Sequence, residues 1–123
     1  MHALAKEKFV RFAPRKVNQV LSLVRKKPVP EALNMLRFVQ KSCTTMVGKT
    51  IKSAAANAGD PTAQNPKLII SEAWVGNGPV MKRMRAHAMG RGSQYKRKTC
   101  HLTVVVSDVA SKATVRRAAD GRK

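Results

Sequence analysis

Between Ala73 and Ser107 the chain carries Lys82, Arg83, Arg85, Arg91, Lys96, Arg97 and Lys98, together with His87 and His101, and no Asp or Glu. Ammonium and guanidinium groups at this density do one kind of chemistry well. They neutralise phosphates and release the counterions condensed on a nucleic acid. A basic run is also the ordinary composition of a solvated, solubilising loop. The complete absence of acid across the stretch favours contact with a polyanion.

Other chemistries fit the residues less well. The six acids, Glu7, Glu31, Asp60, Glu72, Asp108 and Asp120, stand singly, so no pair of carboxylates is spaced for general acid–base work. Gly90-Arg91-Gly92 is too short to cradle a phosphate as a fingerprint loop does. Cys43, Cys100, His87 and His101 lack the tightly paired spacing of a zinc site. Cys100 and His101, adjacent on a strand, project to opposite faces. No catalytic residue, metal site or cofactor is therefore expected. Met81, Met84 and Met89 suit either a hydrophobic binding stripe or flexible packing against RNA or a passing peptide.

The elements that must position the basic stretch follow from periodicity. Residues 4–12 alternate loosely and predict a short strand. Pro14 suits the first turn of a helix, and Val17, Val20, Leu21 and Val24 form one apolar stripe behind it. Arg15 and Lys16 open that helix, and Arg25, Lys26 and Lys27 close it, where cations suit the helix dipole. Pro30 starts a second helix carrying Ala32, Leu33, Leu36 and either Phe38 or Val39. A third runs from about Ser42 to Ala58, with Gly48 a cost that packing should override, and Gly59-Asp60-Pro61 ends it. Beyond a polar loop at 59–67 the period changes to two. Leu68–Val75 and Thr99–Ser107 read as strands, the latter with Cys100, Leu102, Val104 and Val106 on one face.

About twenty residues between those strands lack the apolar content for a core. They form either a functional loop or an outward continuation of both strands, tipped near Ala86–Gly92. A dozen residues per strand would project such a hairpin on the order of 40 Å. A two-stranded ribbon of this kind is marginal alone and orders when an anionic surface clamps it. Its glycines let backbone approach a nucleic acid closely.

The whole chain agrees with a polyanion partner. Its 123 residues suit one domain, and 25 Lys+Arg against 6 Asp+Glu give a formal charge of +19. Hydrophobic residues at 43% exceed what a disordered basic tail would carry, whereas aromatics at 4% argue against a stacked-aromatic platform. No apolar run is long enough to span a bilayer, the start lacks a secretory h-region, and the two distant cysteines read as buried thiols of an intracellular chain. The stretch from Val109 to Lys123, rich in Ala and charge, lacks a clear apolar face and reads as a basic tail, either a frayed helix or disordered. An architectural DNA binder would add a dimerisation surface, which is not identifiable here. A membrane-surface module would place its cations on an amphipathic helix, whereas these read as strand and turn.

The motifs also resemble a known family. Gly78-Pro79-Val80-Met81-Lys82-Arg83 is similar to the G-P-x-x-K-R that opens the long hairpin of the large-subunit ribosomal protein L-twenty-two (uL-twenty-two) family. Gly90-Arg91-Gly92 resembles its hairpin tip, and Lys98-Thr99-Cys100-His101-Leu102-Thr103-Val104-Val105-Val106 its closing strand. Pro14-Arg15-Lys16 and Ser53-Ala54-Ala55-Ala56-Asn57-Ala58 resemble a helix start and a helix end of the same family. The sequence departs from the pattern at Asn77, where an acid is usual, at Ala13, and at Ala86-His87-Ala88-Met89 near the tip. The resemblance implies an α+β fold with three helices packed on a small antiparallel sheet and a long protruding basic β-hairpin. Residues 1–108 would form one rRNA-binding domain, with the hairpin at about 76–101 and a tail at 109–123. It further implies a structural constituent of the large ribosomal subunit, bacterial or plastid, acting early in assembly. Its globular part would sit near the exit of the peptide tunnel and its hairpin would line the tunnel wall. Expected partners are several domains of 23S-type rRNA, the neighbouring L-four family protein and the nascent peptide, with neither DNA nor membrane. The expected rRNA-binding residues are Arg15, Lys16, Arg25, Lys26, Lys82, Arg83, Arg85, His87, Arg91, Lys96, Arg97 and Lys98.

Overall fold

The computed structural model describes residues 2–108, and the tail expected over 109–123 lies outside them. The elements run β1 (His2–Val10), α1 (Pro14–Val24), α2 (Val29–Phe38), α3 (Thr44–Asn57), β2 (Leu68–Ala86) and β3 (Gly92–Asp108). The strands form one antiparallel sheet in the order β1-β3-β2, so the last strand lies in the middle. With three helices against one sheet face, this is the expected α+β architecture.

The helices form where the apolar spacing predicts. In α1, Val17, Val20, Leu21 and Val24 are all buried, and Pro14 occupies the first turn, where its missing N–H costs nothing. Arg25, Lys26 and Lys27 lie just beyond the helix rather than in its last turn. In α2 the stripe resolves in favour of Val39: Phe38 is 85% exposed, while Val39 is half-buried. Gly48 does not interrupt α3, whose Met46, Val47, Thr50, Ile51, Ala54 and Ala55 are buried. The Thr50 hydroxyl is shared between the Glu7 carboxylate (2.8 Å) and the Met46 carbonyl (3.0 Å), tying α3 to β1.

Gly59, at φ +95°, ends α3 as the sequence predicts. Its N–H donates to Ala56 (3.0 Å) and the Asp60 N–H reaches back to Ala55 (3.0 Å), which satisfies two carbonyls that a helix end leaves open. The Asp60 carboxylate then accepts the Asn65 N–H and the Thr62 hydroxyl, both at 2.8 Å, and these bonds hold its pKa below the usual value. The 59–67 loop is therefore folded on itself.

Helices and sheet meet over Ile70, Cys100, Leu102, Val104 and Val106, all fully buried. Cys43 and Cys100 are free buried thiols, and burial pushes the Cys100 thiol above its ordinary pKa. The first strand starts and ends about two residues earlier than its alternation suggests, because it follows β3 to Ser107 and stops where Val10 pairs with Cys100.

Candidate nucleic-acid interface

The loop and hairpin readings of the basic stretch resolve to the hairpin. Beyond Cys100 only β2 and β3 continue, paired from Val80↔Lys98 to Ala86↔Gly92. The eight or nine residues per strand outside the third strand's reach span roughly 30 Å. That is shorter than the 40 Å expected, because β1 accompanies β3 as far as Cys100. The tip is closed by the His87 N–H donating to the Arg91 carbonyl (2.7 Å), with Met89 and Gly90 both at positive φ between them. Met89 is 96% exposed.

The root of the arm is a β-bulge between Asn77 and Val80. Here Gly78 passes so close to β3 that a Cβ would lie 2.6 Å from Thr99 Oγ1 and 3.1 Å from the Thr99 carbonyl carbon. The buried Thr99 hydroxyl donates to the Pro79 carbonyl, latching the bulge. Bulges bend the strand that carries them, so this latch sets the direction in which the arm leaves the sheet. Gly78→Ala is expected to lower rRNA affinity several-fold while costing about 1–3 kcal/mol of stability. Gly76→Ala, whose Cβ would meet nothing nearer than the His101 carbonyl at 4.0 Å, should change neither. Urea unfolding and filter binding of both variants check this, and equal behaviour of the two would remove the steric argument.

Alternation along unbulged β3, with the register to β2, sorts the cations onto two faces. Lys82, Lys96 and Lys98 share one face with Val80 and Met84. Arg83, Arg85 and Arg97 share the other with Met81 and Tyr95. On that second face the Arg85 and Arg97 guanidinium carbons lie 5.2 and 5.1 Å from the Tyr95 ring centroid. Exposed cation–π contacts contribute about 0.5–1 kcal/mol each, which biases the two guanidinium groups toward the ring. One face thus presents point charges and the other planar forks, two of them beside a ring, suited to bidentate phosphate contact and stacking. Nothing in the local composition distinguishes Tyr95, one aromatic among many cations. Its signal is the unbroken period of two from Thr99 backward.

The other expected contact residues fall elsewhere. Arg15 and Lys16 are exposed in the first turn of α1, three residues after Phe12, so that end of the helix starts near the root of the arm. About 16 Å along the helix, its far end holds Arg25 and Lys26. Arg25 is half-buried and donates through Nε to the Ala73 carbonyl (2.8 Å) and through a terminal nitrogen to Asn18 Oδ1 (2.7 Å). Lys26, at φ +63°, uses its backbone N–H to bond the Ile70 carbonyl (2.8 Å), although its side chain is exposed. Arg25 therefore has a structural task, pinning the end of α1 to β2. The arm brings together Lys82, Arg83, Arg85, His87, Arg91, Lys96, Arg97 and Lys98, all exposed. Among the described residues, no helix is long and apolar enough to cross a membrane.

Comparison with known proteins adds an independent line. The family described as ribosomal protein L22p/L17e matches residues 5–107. The chain is 50% identical over 111 residues to the large ribosomal subunit protein uL22 of Endomicrobium trichonymphae, covering 90% of this chain and 96% of that one. It is 46% identical over 109 residues to the protein of the same name from Desulforamulus reducens, and 41% identical over 109 residues to that from Halothermothrix orenii. Each of those two matches covers 88% of this chain and 96% of the relative.

Proposed function

The chain belongs to the ribosomal protein L22p/L17e family, and from that premise we propose that it holds 23S-type rRNA by a clamp built on its basic arm. As a member of this family it is a structural constituent of the large ribosomal subunit, not an enzyme, and its relatives are bacterial. The observation that carries the proposal is the arm itself. It holds seven Lys+Arg and no acid, and none of the buried hydrophobic residues lies between Trp74 and Thr99. Among the described residues nothing packs on both faces of this ribbon, and phosphates on two sides would. The lysine face meets one strand of phosphate as point charges, and the arginine face meets another with forks and an aromatic ring.

In the fuller reading, residues 1–108 act as one rRNA-binding unit that docks early in assembly and touches several rRNA domains. The globular part sits near the tunnel exit. The arm lines the tunnel wall beside the L-four family protein, with the exposed Met89 at the tip facing the nascent peptide. Arg15 and Lys16 extend the contact from the root of the arm, and Lys26 adds a separate cation at the far end of α1. The residues specify no base-reading motif, so selectivity comes from the shape of folded rRNA.

The test is a salt titration of the chain against large-subunit rRNA, an unrelated structured RNA and duplex DNA. Preference for large-subunit rRNA should persist at moderate salt while the other two are lost. Equal binding to all three, vanishing together as salt rises, would reduce the chain to a generic polycation and favour the architectural DNA reading.

A further inference from the structure

The helix-free face of the sheet carries a strained aromatic that neither the core nor the arm requires. Between Glu7 and Val10, both turned toward the helices, β1 contains a register shift. Phe9, inside it, sits at φ +58°. Bulky side chains rarely occupy that region, and holding one there costs about 1–3 kcal/mol. The conformation is kept by the Phe9 N–H donating to His101 Nδ1 (3.0 Å), with the ring edge-on to the imidazole at 5.0 Å. Burial does not offset the cost, since Phe9 is 65% exposed. The bulge instead turns the ring outward beside a recess of about 420 Å³ lined by Lys6, Lys8, Phe9, His101, Leu102 and Thr103. No acid lines it. Lys6 and Trp74 flank Thr103 from either side of β3, so the same face carries a second exposed aromatic, Trp74 at 45%. Glu72 is the acid on this face, opposite Val105 and a row further from Phe9.

We propose that Phe9, Lys6, Lys8 and His101 form a second RNA site on the globular part. An unstacked nucleobase lies against the Phe9 ring, and its phosphate meets Lys6 and Lys8. An exposed ring takes any base by its π-face, and flanking ammonium groups hold the backbone that carries it. The occupant is single-stranded RNA because a duplex keeps its bases stacked and offers no face to the ring. Position supports the same assignment. On β3, His101, Thr99, Arg97 and Tyr95 share one side, so a strand leaving the recess is led onto the arginine face of the arm. This inference rests on the RNA-binding reading above and adds a base-contacting site to it.

The test uses the full chain and three probes: an octaadenylate, an abasic ribose-phosphate octamer, and an RNA duplex of eight base pairs. Phe9→Gly suits the position, because glycine adopts positive φ without strain, so loss of the fold does not confuse the result. It should weaken octaadenylate binding about tenfold while leaving the abasic octamer and the duplex within about twofold. Phe9→Tyr, which restores a ring, should recover the octaadenylate. Unchanged octaadenylate binding in Phe9→Gly, an equal loss on all three probes, or no octaadenylate binding by the parent chain would each overturn the site. Failure of the rRNA reading appears separately, as loss of the parent chain's preference for large-subunit rRNA.

Discussion

Replacing residues 81–97 by Asn-Gly is expected to leave a folded protein whose rRNA affinity is far lower and far less dependent on salt. The replacement closes the hairpin at the Val80↔Lys98 pair with a two-residue turn that suits the twist of the strands. It removes no buried hydrophobic side chain, so urea unfolding should stay cooperative with a similar midpoint. It does remove Lys82, Arg83, Arg85, Arg91, Lys96 and Arg97. If each neutralises one phosphate, the log–log slope of affinity against salt becomes shallower by about four to five. At low salt that amounts to several orders of magnitude in affinity, and at high salt to much less. A slope that does not move would mean that the arm touches no phosphate, and the clamp would have to be abandoned.

Leu102→Ala separates stability from binding in the opposite sense. Leu102 is fully buried on the middle strand, opposite Glu7 on one side and Val75 on the other. Truncation in such a site costs about 2–5 kcal/mol, from lost transfer energy and from the cavity left behind. Domains of this size are stable by only about 5–15 kcal/mol, so the melting temperature should fall by roughly 10–20 °C. The arm cations are untouched, so the salt slope measured well below the new melting point should match the parent. Calorimetry and a salt titration on one sample read both. A loss below 1 kcal/mol would show that the sheet does not pack as tightly as its burial indicates.

Much of the scaffold was legible because it rests on short-range pattern. The stripe of Val17, Val20, Leu21 and Val24 specifies which face of α1 is buried, and Cys100, Leu102, Val104 and Val106 do the same for β3. Gly59 announces its positive φ because other residues avoid it. That the stretch leaves the core was legible from what it lacks, acids and apolar side chains, but those residues fit a loop as well as a hairpin. The family resemblance implied the hairpin, and the pairing from Val80↔Lys98 to Ala86↔Gly92 decides for it. Features set by non-local geometry were not legible. Arg25 reads as one more cation after a helix, and only the packing of α1 on β2 shows it turned toward Ala73 and Asn18. An aromatic content of 4% argues against stacking, yet composition is blind to placement. Three of the five aromatics, Phe9, Trp74 and Tyr95, fall on the side of the sheet that the helices leave open. The bulges at Glu7/Val10 and Asn77/Val80 carry no sequence mark beyond the second one's glycine.

The strand order has a consequence for how the molecule is made. His2 pairs with Ser107, so the first strand to leave the ribosome that synthesises this chain finds its partner only when nearly everything else has followed. At about 5–20 residues per second, β1 waits on the order of 5–20 seconds with its hydrogen-bonding edge unpaired. Any helix formed in that interval lacks the middle strand it packs against. The domain therefore closes late and in one step, and a nascent chain stalled before Leu102 carries every positive charge of the arm without the fold that aims it.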